Sequence, residues 1–454
     1  MSGPRQLRVA VVGSGPAGFY TADALLKSED PPVAVDVLDR LPTPWGLVRL
    51  GVAPDHENIK AVSRAFERTA ARSGFRFFGN VDVGSAVTPA ELLERYDAVV
   101  YTIGAQTDRR LGVPGEDLPG SWPATAFVAW YNGHPDYQEL PFDLSHERAV
   151  VVGNGNVAID CARMLALTAE ELAPTDTVDA AERAIVGSGI HEIVMLGRRG
   201  PVQAAFTPPE LQELGELAGA DVHVDPHDLE LDPASAEALE HDRERARRNV
   251  DLLREFAARP AHGLPRRIVL RFLVSPVAIL GAERVEAIEI VHNELVEQGG
   301  RLVARPTGRR ETIPCGIVLR SVGYQGVELP GLPFDADRSI VPNDGGRVRG
   351  VERTYAAGWI KRGPSGVIGT NKKDAVETVD ALLADARAGL LSAPDDGDLE
   401  ALLRDRDVPF VEYAGWQAID AAERAGGEPL GRPRVKLIAW SDLLDTGRGV
   451  QSRS

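Results

Sequence analysis

Two glycine-rich stretches decide the fold of this chain: Val9–Gly18, VAVVGSGPAG, and Val150–Asp160, VVVGNGNVAID. In each, a continuous apolar run leads into a glycine turn and then into a helical pattern. That order is typical of a parallel strand, a turn and a helix in a dinucleotide-binding unit. Backbone N–H groups and the helix N-terminus then face a pyrophosphate. Two such turns predict two dinucleotide sites.

The first turn has the full GxGxxG spacing at Gly13, Gly15 and Gly18. These glycines allow a tight turn, a close approach to phosphate and close packing of the helix on the strand. A second apolar run, Val33–Leu38, ends at Asp39, 21 residues after the last glycine. An acid at this position accepts hydrogen bonds from a ribose diol and repels a 2′-phosphate. The first turn is therefore predicted to take NAD or the adenosine half of FAD.

The second turn differs from the first in its downstream partners. Gly153 and Gly155 match the first two glycines, but the third position is Ala158, as is common in NADP-binding turns. Where the first unit has an acid, this unit has Arg198 and Arg199 after its next apolar run. Guanidinium groups bind a 2′-phosphate bidentately. We therefore expect NADP(H) at the second turn, with a solvated basic turn as the alternative.

A long loop, Leu41–Lys60, follows the second strand of the first unit. It is dense in Pro and Gly, yet unusually apolar for a surface connection. Long loops of this kind are usually functional, and this one leaves the carboxyl end of a strand, where doubly wound sheets bind ligands. We expect it beside the isoalloxazine ring of a flavin, with Arg49 and His56 as polar members. A lone histidine is more often structural, so the role of His56 stays open on the sequence alone.

Two later stretches carry further candidates. Glu210 and Glu213 are three residues apart and share one face of a predicted helix, where they are either solvent-facing charges or functional groups. Thr354–Asp374 combines a strand, a Gly-Trp turn, a glycine-rich loop and a helix start. Trp359 in this stretch either covers a flavin ring or is a core aromatic.

Composition excludes several classes of function. The 454 residues suit two domains, and the net charge of −17 argues against nucleic-acid or anionic-membrane binding. No apolar run approaches the roughly 18–20 residues of a membrane span, and the N-terminus leads almost directly into the first strand, which predicts a cytoplasmic protein. Cys161 and Cys315 do not form a CxxC pair, so no disulfide framework, cysteine-bound metal or dithiol relay is expected.

One basic stretch contrasts with this acidic composition. It contains nine arginines: Arg243, Arg245, Arg247, Arg248, Arg254, Arg259, Arg266, Arg267 and Arg271. The stretch is either a solvated helix face with interspersed acids or a docking surface for an acidic protein partner.

Ten motifs spread over nearly the whole chain resemble the adrenodoxin-reductase-like ferredoxin–NADP⁺ reductases, most closely the actinobacterial members. They are VVGSGPAGFYTAD, PTPWGLVRLGVAPDH, FFGNVDVG, VPGEDLPG, FVAWYNGHP, VVGNGNVAIDCARML, LGRRGPVQAAFT, LRFLVSPV, VLRSVGY and GWIKRGPSGVIGT. The resemblance implies an α/β fold of two Rossmann-like dinucleotide-binding domains, with the NADP domain inserted into the FAD domain. Residues 1–106 and 323–454 would form the FAD domain, ending in a helical tail, and residues 107–322 the NADP domain.

The resemblance also implies roles for individual residues. Besides the glycines of the first turn, the implied FAD contacts are Ala17, Asp39, Leu47, Val83, Trp359, Gly366, Val367 and Ile368. The implied NADP contacts are Arg109, Asn154, Gly155, Asn156, Val157, Arg198, Arg199, Glu210 and Gly366. His56 and Glu213 match the active-site pair that the family uses for proton handling. Relatives commonly have Glu in place of Asp39, so a looser or water-bridged ribose contact is expected here.

The implied activity is that of an NADPH:ferredoxin oxidoreductase. A hydride passes from NADPH to FAD, and single electrons then pass to an acidic iron–sulfur ferredoxin. The stretch Arg243–Arg271 is one candidate surface on which that ferredoxin would dock. A monomer without a metal site is expected. Two alternatives stay open: an NADPH-dependent flavoprotein oxidoreductase or oxygenase acting on an organic substrate, and a non-catalytic dinucleotide-binding subunit or sensor.

Overall fold

The computed structural model describes residues 5–241, 244–366, 368–391 and 397–449. The chain divides into two compact units. The first unit consists of residues up to Thr107, Asn132–Pro135 and the chain from Tyr324 onward; the second consists of Asp108–Tyr131 and Asp136–Gly323. The second unit is thus inserted into the sequence of the first. Among the described residues, no helix combines the length and the apolarity that crossing a membrane requires.

The N-terminal segment alternates strands and helices. Its strands are β1 (Leu7–Val12), β2 (Val33–Leu38), β3 (Phe75–Phe78) and β4 (Ala98–Tyr101), and its helices are α1 (Pro16–Leu26), α2 (Leu47–Leu50), α3 (Glu57–Lys60), α4 (Ser63–Ala70) and α5 (Pro89–Arg95). The stretch Leu41–Lys60, predicted to be a loop, contains the two single-turn helices α2 and α3.

The inserted segment is richer in strands. They are β5 (Thr107–Asp108), β6 (Ser121–Pro123), β7 (Arg148–Val152), β8 (Glu192–Leu196), β9 (Ala220–Val224), β10 (Arg266–Arg271), β11 (Val274–Leu280), β12 (Ala287–Gln298), β13 (Arg301–Pro314) and β14 (Ile317–Arg320). Its helices are α6 (Ala124–Tyr131), α7 (Asn156–Ala166), α8 (Ala169–Leu172), α9 (Asp179–Val186), α10 (Pro208–Leu214), α11 (Pro233–His241) and α12 (Glu244–Ala258).

The C-terminal segment completes the first unit. Its strands are β15 (Tyr324–Gln325), β16 (Asn343–Asp344), β17 (Arg347–Val348) and β18 (Thr354–Ala356), and its helices are α13 (Trp359–Arg362), α14 (Ile368–Arg387), α15 (Leu399–Asp405), α16 (Tyr413–Gly427) and α17 (Trp440–Arg448).

The first unit is built on a seven-stranded sheet in the order β16-β17-β18-β4-β1-β2-β3, in which β18, β4, β1, β2 and β3 run parallel. Hydrophobic clusters cover both faces of this sheet, which explains why its strands read as continuous apolar runs. Because the strands are parallel, the turns after β1, β2, β4 and β18 all meet at one edge. That edge holds the first glycine turn and Asp39.

The second unit has a six-stranded parallel sheet in the order β6-β14-β7-β8-β10-β9. A three-stranded antiparallel sheet, β11-β12-β13, shares a hydrophobic cluster with it. The turns after β7 and β8 come together at the carboxyl edge, because these strands are direct neighbours in parallel register. That edge holds the second glycine turn and the two arginines.

Candidate functional site

The first glycine turn has the close packing that its motif predicts. Gly13 has φ +105°, and a Cβ built on it would lie 2.7 Å from the carbonyl oxygen of Thr102. A Cβ on Gly18 would lie 2.0 Å from the carbonyl oxygen of Gly13, so only glycine lets α1 start this close to β1. Beside Gly15, by contrast, a Cβ would meet no atom of the described residues within 4 Å. This space, at the N-terminus of α1, fits a phosphate.

Asp39 joins the turn to the following loop. Its Oδ2 accepts hydrogen bonds from the backbone N–H and the hydroxyl of Ser14, at 2.8 and 2.5 Å, and its Oδ1 accepts one from the N–H of Leu41 at 2.9 Å. Burial raises the pKa of Asp39, while these hydrogen bonds act to lower it. A carboxylate accepts about four hydrogen bonds. Capacity for a ribose hydroxyl therefore remains on Oδ1.

The loop Leu41–Lys60 lies directly on the first turn. Its Trp45 has φ +84°, and its backbone N–H donates to the carbonyl of Ser14 at 2.9 Å. A Cβ on the next residue, Gly46, would lie 3.0 Å from the Cα of Gly15. Leu47 follows at the start of α2, and 39% of it is exposed. The loop therefore presents an apolar side chain next to the turn.

The polar members of this loop differ in their surroundings. Arg49 is buried, and its guanidinium forms an ion pair with the carboxylate of Glu423 inside the first unit. Its charge therefore stabilises the unit itself. His56 is half-buried and precedes α3, where its carbonyl accepts hydrogen bonds from the N–H groups of Ile59 and Lys60. His56 belongs to the first unit and Glu213 to the second.

The residues around Trp359 complete the ligand-binding edge of the first unit. Gly358 has φ +78°, and a Cβ on it would lie 2.6 Å from the Cβ of Ala17, which places α13 against the first turn. The Trp359 ring packs on Tyr324 with centroids 5.2 Å apart. Its buried indole N–H has no hydrogen-bond acceptor among the described residues. An acceptor supplied by a bound flavin would satisfy this donor.

The remaining predicted FAD contacts of this unit differ in backbone conformation and burial. Gly366 has φ +80° and Ile368 is the first residue of α14, whereas Val367 lies outside the described residues. Val83 is buried in a hydrophobic cluster on one face of the sheet, so its side chain is used for packing.

The second glycine turn has the same design. A Cβ on Gly153, which has φ +138°, would lie 2.1 Å from the carbonyl oxygen of Ser321. The space beside Gly155 is open again, since the nearest atom to a Cβ there is 4.0 Å away. The helix after this turn, α7, starts at Asn156. A phosphate fits here as it does at the first turn.

The asparagines of this turn have structural contacts of their own. The carbonyl of Asn154 accepts hydrogen bonds from the N–H groups of Ala205 and Phe206, both at 3.0 Å. The side-chain carbonyl of Asn156 accepts one from the N–H of Thr207 at 2.9 Å. The turn is thereby tied to the segment that leads into α10. Val157, in the first turn of α7, is half-buried.

Arg198 and Arg199 lie in the loop after β8, within this chain of net charge −17. Neither guanidinium forms an ion pair with a carboxylate in the described ranges; Arg199 donates only to the carbonyl of Gln203, at 3.4 Å. Burial, and then the charge of Arg198, lowers the pKa of Arg199. Two adjacent, unneutralised guanidinium groups beside a phosphate-binding turn favour an anion such as a 2′-phosphate.

Glu210 and Glu213 both lie on α10. The Glu213 carboxylate is 3.4 Å from Nε of Arg163, whose side chain is 4% exposed and also lies 3.5 Å from the Asp160 carboxylate. Glu213 is thus oriented by a buried cation. Arg109 is exposed, and its backbone N–H donates to the carbonyl of Gly323 at 2.9 Å.

The basic stretch divides into two groups. Most of its described arginines have partners within the second unit: Arg247 with two carbonyls, Arg254 with Asp251, Arg259 with the carbonyl of Gly215, Arg266 with two carbonyls and a hydroxyl, Arg267 with Glu192 and Arg271 with Glu311. Arg245 and Arg248 are exposed on α12 and have no such partner in the described chain. Arg243 lies outside the described residues.

Two residues with a part in these sites were not expected from the sequence. Glu423 holds Arg49, and Asn293 donates a hydrogen bond to the carbonyl of Arg198 at 3.0 Å. Neither lies in a motif, and each acts on a residue far away in the chain. The signal that could have found Glu423 is its spacing from Trp416 and Ile419, which puts an acid on the apolar face of the helix.

Comparisons with known proteins agree with this geometry. The family model of pyridine nucleotide-disulphide oxidoreductases matches residues 7–195. NADPH-ferredoxin reductase FprA of Mycobacterium tuberculosis is 52% identical over 457 residues, covering 98% of this chain and 100% of the relative. The mitochondrial NADPH:adrenodoxin oxidoreductase of Arabidopsis thaliana is 41% identical and covers 97% of this chain and 95% of its own length.

A solved structure of Mycobacterium tuberculosis FprA in complex with NADPH matches with a TM-score of 0.94 and 52% identity, over 98% of this chain and 100% of the other. The predicted α/β fold with two Rossmann-like domains is confirmed. The chain belongs to the adrenodoxin-reductase-like family of ferredoxin–NADP⁺ reductases.

Proposed function

We propose that this protein is an NADPH:ferredoxin oxidoreductase that binds FAD at the first glycine turn and NADP(H) at the second. The main support for this proposal is the opposite charge of the residues that follow the two turns. Asp39 follows the first turn, whereas Arg198 and Arg199, which form no ion pair with a described carboxylate, follow the second. The relatives named NADPH-ferredoxin reductase, one of them solved with NADPH, support the same activity.

The first unit has the features that FAD requires. Gly13, Gly15 and Gly18 would hold the pyrophosphate, Asp39 the ribose, and Ala17, Leu47, Trp359, Gly366 and Ile368 would surround the flavin end. When bound, FAD accepts two electrons from NADPH and passes them on one at a time. The chain's own part is to seat the cofactor, supply the indole N–H of Trp359 and cover the ring with the apolar loop around Leu47.

The second unit would supply the pyridine nucleotide. The open space beside Gly155 and the N-terminus of α7 receive the pyrophosphate, and Arg198 and Arg199 neutralise the 2′-phosphate. Arg109 and Glu210 are further proposed contacts. The proposed domain boundaries at residues 106/107 and 322/323 are supported by the division into compact units, which changes at 107/108 and 323/324, although Asn132–Pro135 belong to the first unit.

His56 and Glu213 are the proposed proton-handling pair. Arg163 orients the Glu213 carboxylate from within the second unit. His56, at the start of α3, is held by the backbone of the loop that carries Leu47. These roles come from the family resemblance and the local geometry of each residue.

The two cysteines do not offer an alternative electron path. Burial raises the pKa of Cys161, and burial also raises the pKa of Cys315 to about 12. Neither thiol is therefore ionised near neutral pH. This disfavours electron transfer through a cysteine disulphide, the chemistry for which pyridine nucleotide-disulphide oxidoreductases are named. Electrons would leave from the flavin directly.

An iron–sulfur ferredoxin of acidic surface is the proposed acceptor. Within the stretch Arg243–Arg271, we propose Arg245 and Arg248 on α12 as docking residues, because both are exposed and neither forms an ion pair with a described carboxylate of the second unit. We further propose that the protein acts as a cytoplasmic monomer.

Anaerobic stopped-flow spectroscopy tests the proposed function. The flavin absorbance should bleach on mixing with NADPH much faster than with NADH, and it should return on mixing with an oxidised ferredoxin. Product hydroxylation or stoichiometric oxygen uptake in place of ferredoxin reduction would indicate a flavoprotein that acts on an organic substrate. A flavin that NADPH does not bleach would indicate a non-catalytic subunit.

A further inference from the structure

The loop Gly197–Gly200 is held by backbone hydrogen bonds from the connection between β10 and β11 and from the first residue of β11. The carbonyl of Gly197 accepts a hydrogen bond from the N–H of Val274 at 3.0 Å. The carbonyl of Arg199 accepts one from the N–H of Leu273 at 3.2 Å. Both donors are backbone groups. They fix the two ends of the arginine pair whatever side chains are present.

The carbonyl between them depends on one side chain. Arg198 O accepts a hydrogen bond from Nδ2 of Asn293 at 3.0 Å, and the same nitrogen donates to the hydroxyl oxygen of Ser275 at 2.8 Å. A carbonyl oxygen can only accept, so the amide nitrogen must face the loop. Asn293 is 7% exposed. Because this amide is buried and uses both donors, it is a rigid support rather than a surface contact.

A β-bulge directs Asn293 towards the loop. The pairing of β12 with β13 shifts register between Val291 and Asn293. The backbone N–H of Asn293 donates to the carbonyl of Leu273 at 2.7 Å, and Leu273 itself has φ +54°. Bulges beside functional sites re-aim a side chain, and left-handed backbone at a non-glycine residue persists only where neighbours enforce it. Two local irregularities thus converge on one hydrogen bond to Arg198.

We propose that Asn293 is a positioning residue that sets the preference of the second turn for a 2′-phosphate. It does so by holding the Arg198 carbonyl oxygen away from the anion, so that the loop presents positive charge alone. This inference rests on the proposed function. A released carbonyl would carry its negative partial charge towards the guanidinium groups and would compete with the phosphate for them. The backbone donors on either side do not hold this oxygen.

Binding of 2′,5′-ADP and 5′-AMP, measured by titration calorimetry on the FAD-loaded protein, tests the proposal without any turnover. One neutral hydrogen bond is worth about 0.5–1.5 kcal/mol, so Asn293→Ala should weaken 2′,5′-ADP by roughly 3- to 10-fold and leave 5′-AMP nearly unchanged. Asn293→Asp keeps the shape of the side chain but turns an oxygen towards the carbonyl, and should weaken 2′,5′-ADP further. The ratio of kcat/KM for NADPH and NADH should fall in parallel.

Ser275→Ala is the matched control. It removes the other acceptor of the amide and leaves the bond to Arg198, so the preference for 2′,5′-ADP should be kept. A loss in Ser275→Ala as large as in Asn293→Ala would overturn the proposal. An equal loss of both ligands, or no loss, in Asn293→Ala or in the isosteric Asn293→Asp would also overturn it. A wild-type protein without any preference for 2′,5′-ADP would instead contradict the NADP assignment of the proposed function, and this inference with it.

Discussion

The guanidinium of Arg49 forms a bidentate ion pair with the carboxylate of Glu423, with Nη1–Oε2 and Nη2–Oε1 distances of 2.8 and 2.5 Å. Both side chains are buried, and Glu423 also accepts hydrogen bonds from the N–H of Leu437 at 2.9 Å and from Arg434 at 3.1 Å. The pair connects α16 to the loop that carries Trp45 in its left-handed conformation. The Trp45 ring packs edge-on against Trp416 of the same helix, with centroids 4.9 Å apart. The C-terminal helices therefore hold the loop proposed to cover the flavin.

Glu423→Ala should destabilise the first unit strongly. Removing one partner of a buried ion pair costs about 3–5 kcal/mol, because the remaining charge is buried without compensation. We expect a lower midpoint of thermal unfolding and faster loss of FAD from the folded protein, since the loop loses its support. Glu400→Gln, which breaks an exposed ion pair with Arg404, is the control and should change little. Unchanged FAD release in Glu423→Ala would contradict the supporting role.

The same carboxylate makes stability depend on acidic pH. Burial acts to raise the pKa of Glu423, but the charge of Arg49 and its hydrogen bonds prevail and hold the pKa below its ordinary value. A lowered pKa contributes stability above the unfolded value of about 4.3, and this contribution is lost as pH falls through the folded pKa. Denaturant unfolding between about pH 3 and 6 should show a weaker acid dependence in Glu423→Gln than in wild type. Parallel curves would show that other groups cause the acid sensitivity.

Replacing both Arg198 and Arg199 by Ala should abolish most of the preference for NADPH. Hydrogen bonds to charged groups are worth about 1.5–3 kcal/mol, so two lost contacts should lower kcat/KM for NADPH by at least about 100-fold and leave NADH nearly unchanged. The double variant Arg245→Ala/Arg248→Ala removes the same charge from the same unit and should keep the preference. An equal loss with both nucleotides would contradict the 2′-phosphate assignment.

The Arg245→Ala/Arg248→Ala variant should affect the ferredoxin reaction instead. Steering by exposed charges changes the association rate and its dependence on ionic strength more than the final affinity. We expect slower ferredoxin reduction at low salt, with the difference from wild type vanishing at high salt. Arg301→Ala/Arg309→Ala on the β13 hairpin makes the same change in net charge elsewhere. If both variants alter the salt dependence equally, α12 is not the docking surface.

His56→Ala should slow flavin reduction while FAD stays bound. General acid–base groups contribute about 10²- to 10⁴-fold, so a stopped-flow rate lower by at least about 10-fold is expected if His56 handles a proton. The exposed His262 provides the control, and His262→Ala should reduce at the wild-type rate. Wild-type kinetics in His56→Ala, at both pH 6 and pH 8, would reduce His56 to a structural residue.

Much of the fold and of the candidate site could be predicted from short-range patterns in the sequence. Gly13 and Gly153 are needed because a Cβ would meet neighbouring backbone, and β2 has the predicted bounds because buried parallel strands require continuous apolar runs. The predicted cofactor preference of each turn likewise depends on a few nearby residues: an acid at position 39, and arginines at positions 198 and 199. Fold class and the pair of dinucleotides follow from such short-range patterns, which need only the sequence.

The tertiary structure alone decided which groups support those turns. Arg49, expected from the sequence among the polar members of the flavin loop, pairs with Glu423, 374 residues away. The Arg198 carbonyl depends on Asn293, 95 residues away and aimed by a bulge. Several described arginines of the basic stretch contact groups far away along the chain, such as Arg259 with the carbonyl of Gly215 and Arg267 with Glu192. Such partners are set by the packing of whole elements, because a hydrogen bond or an ion pair depends on distance in space and not on separation along the chain.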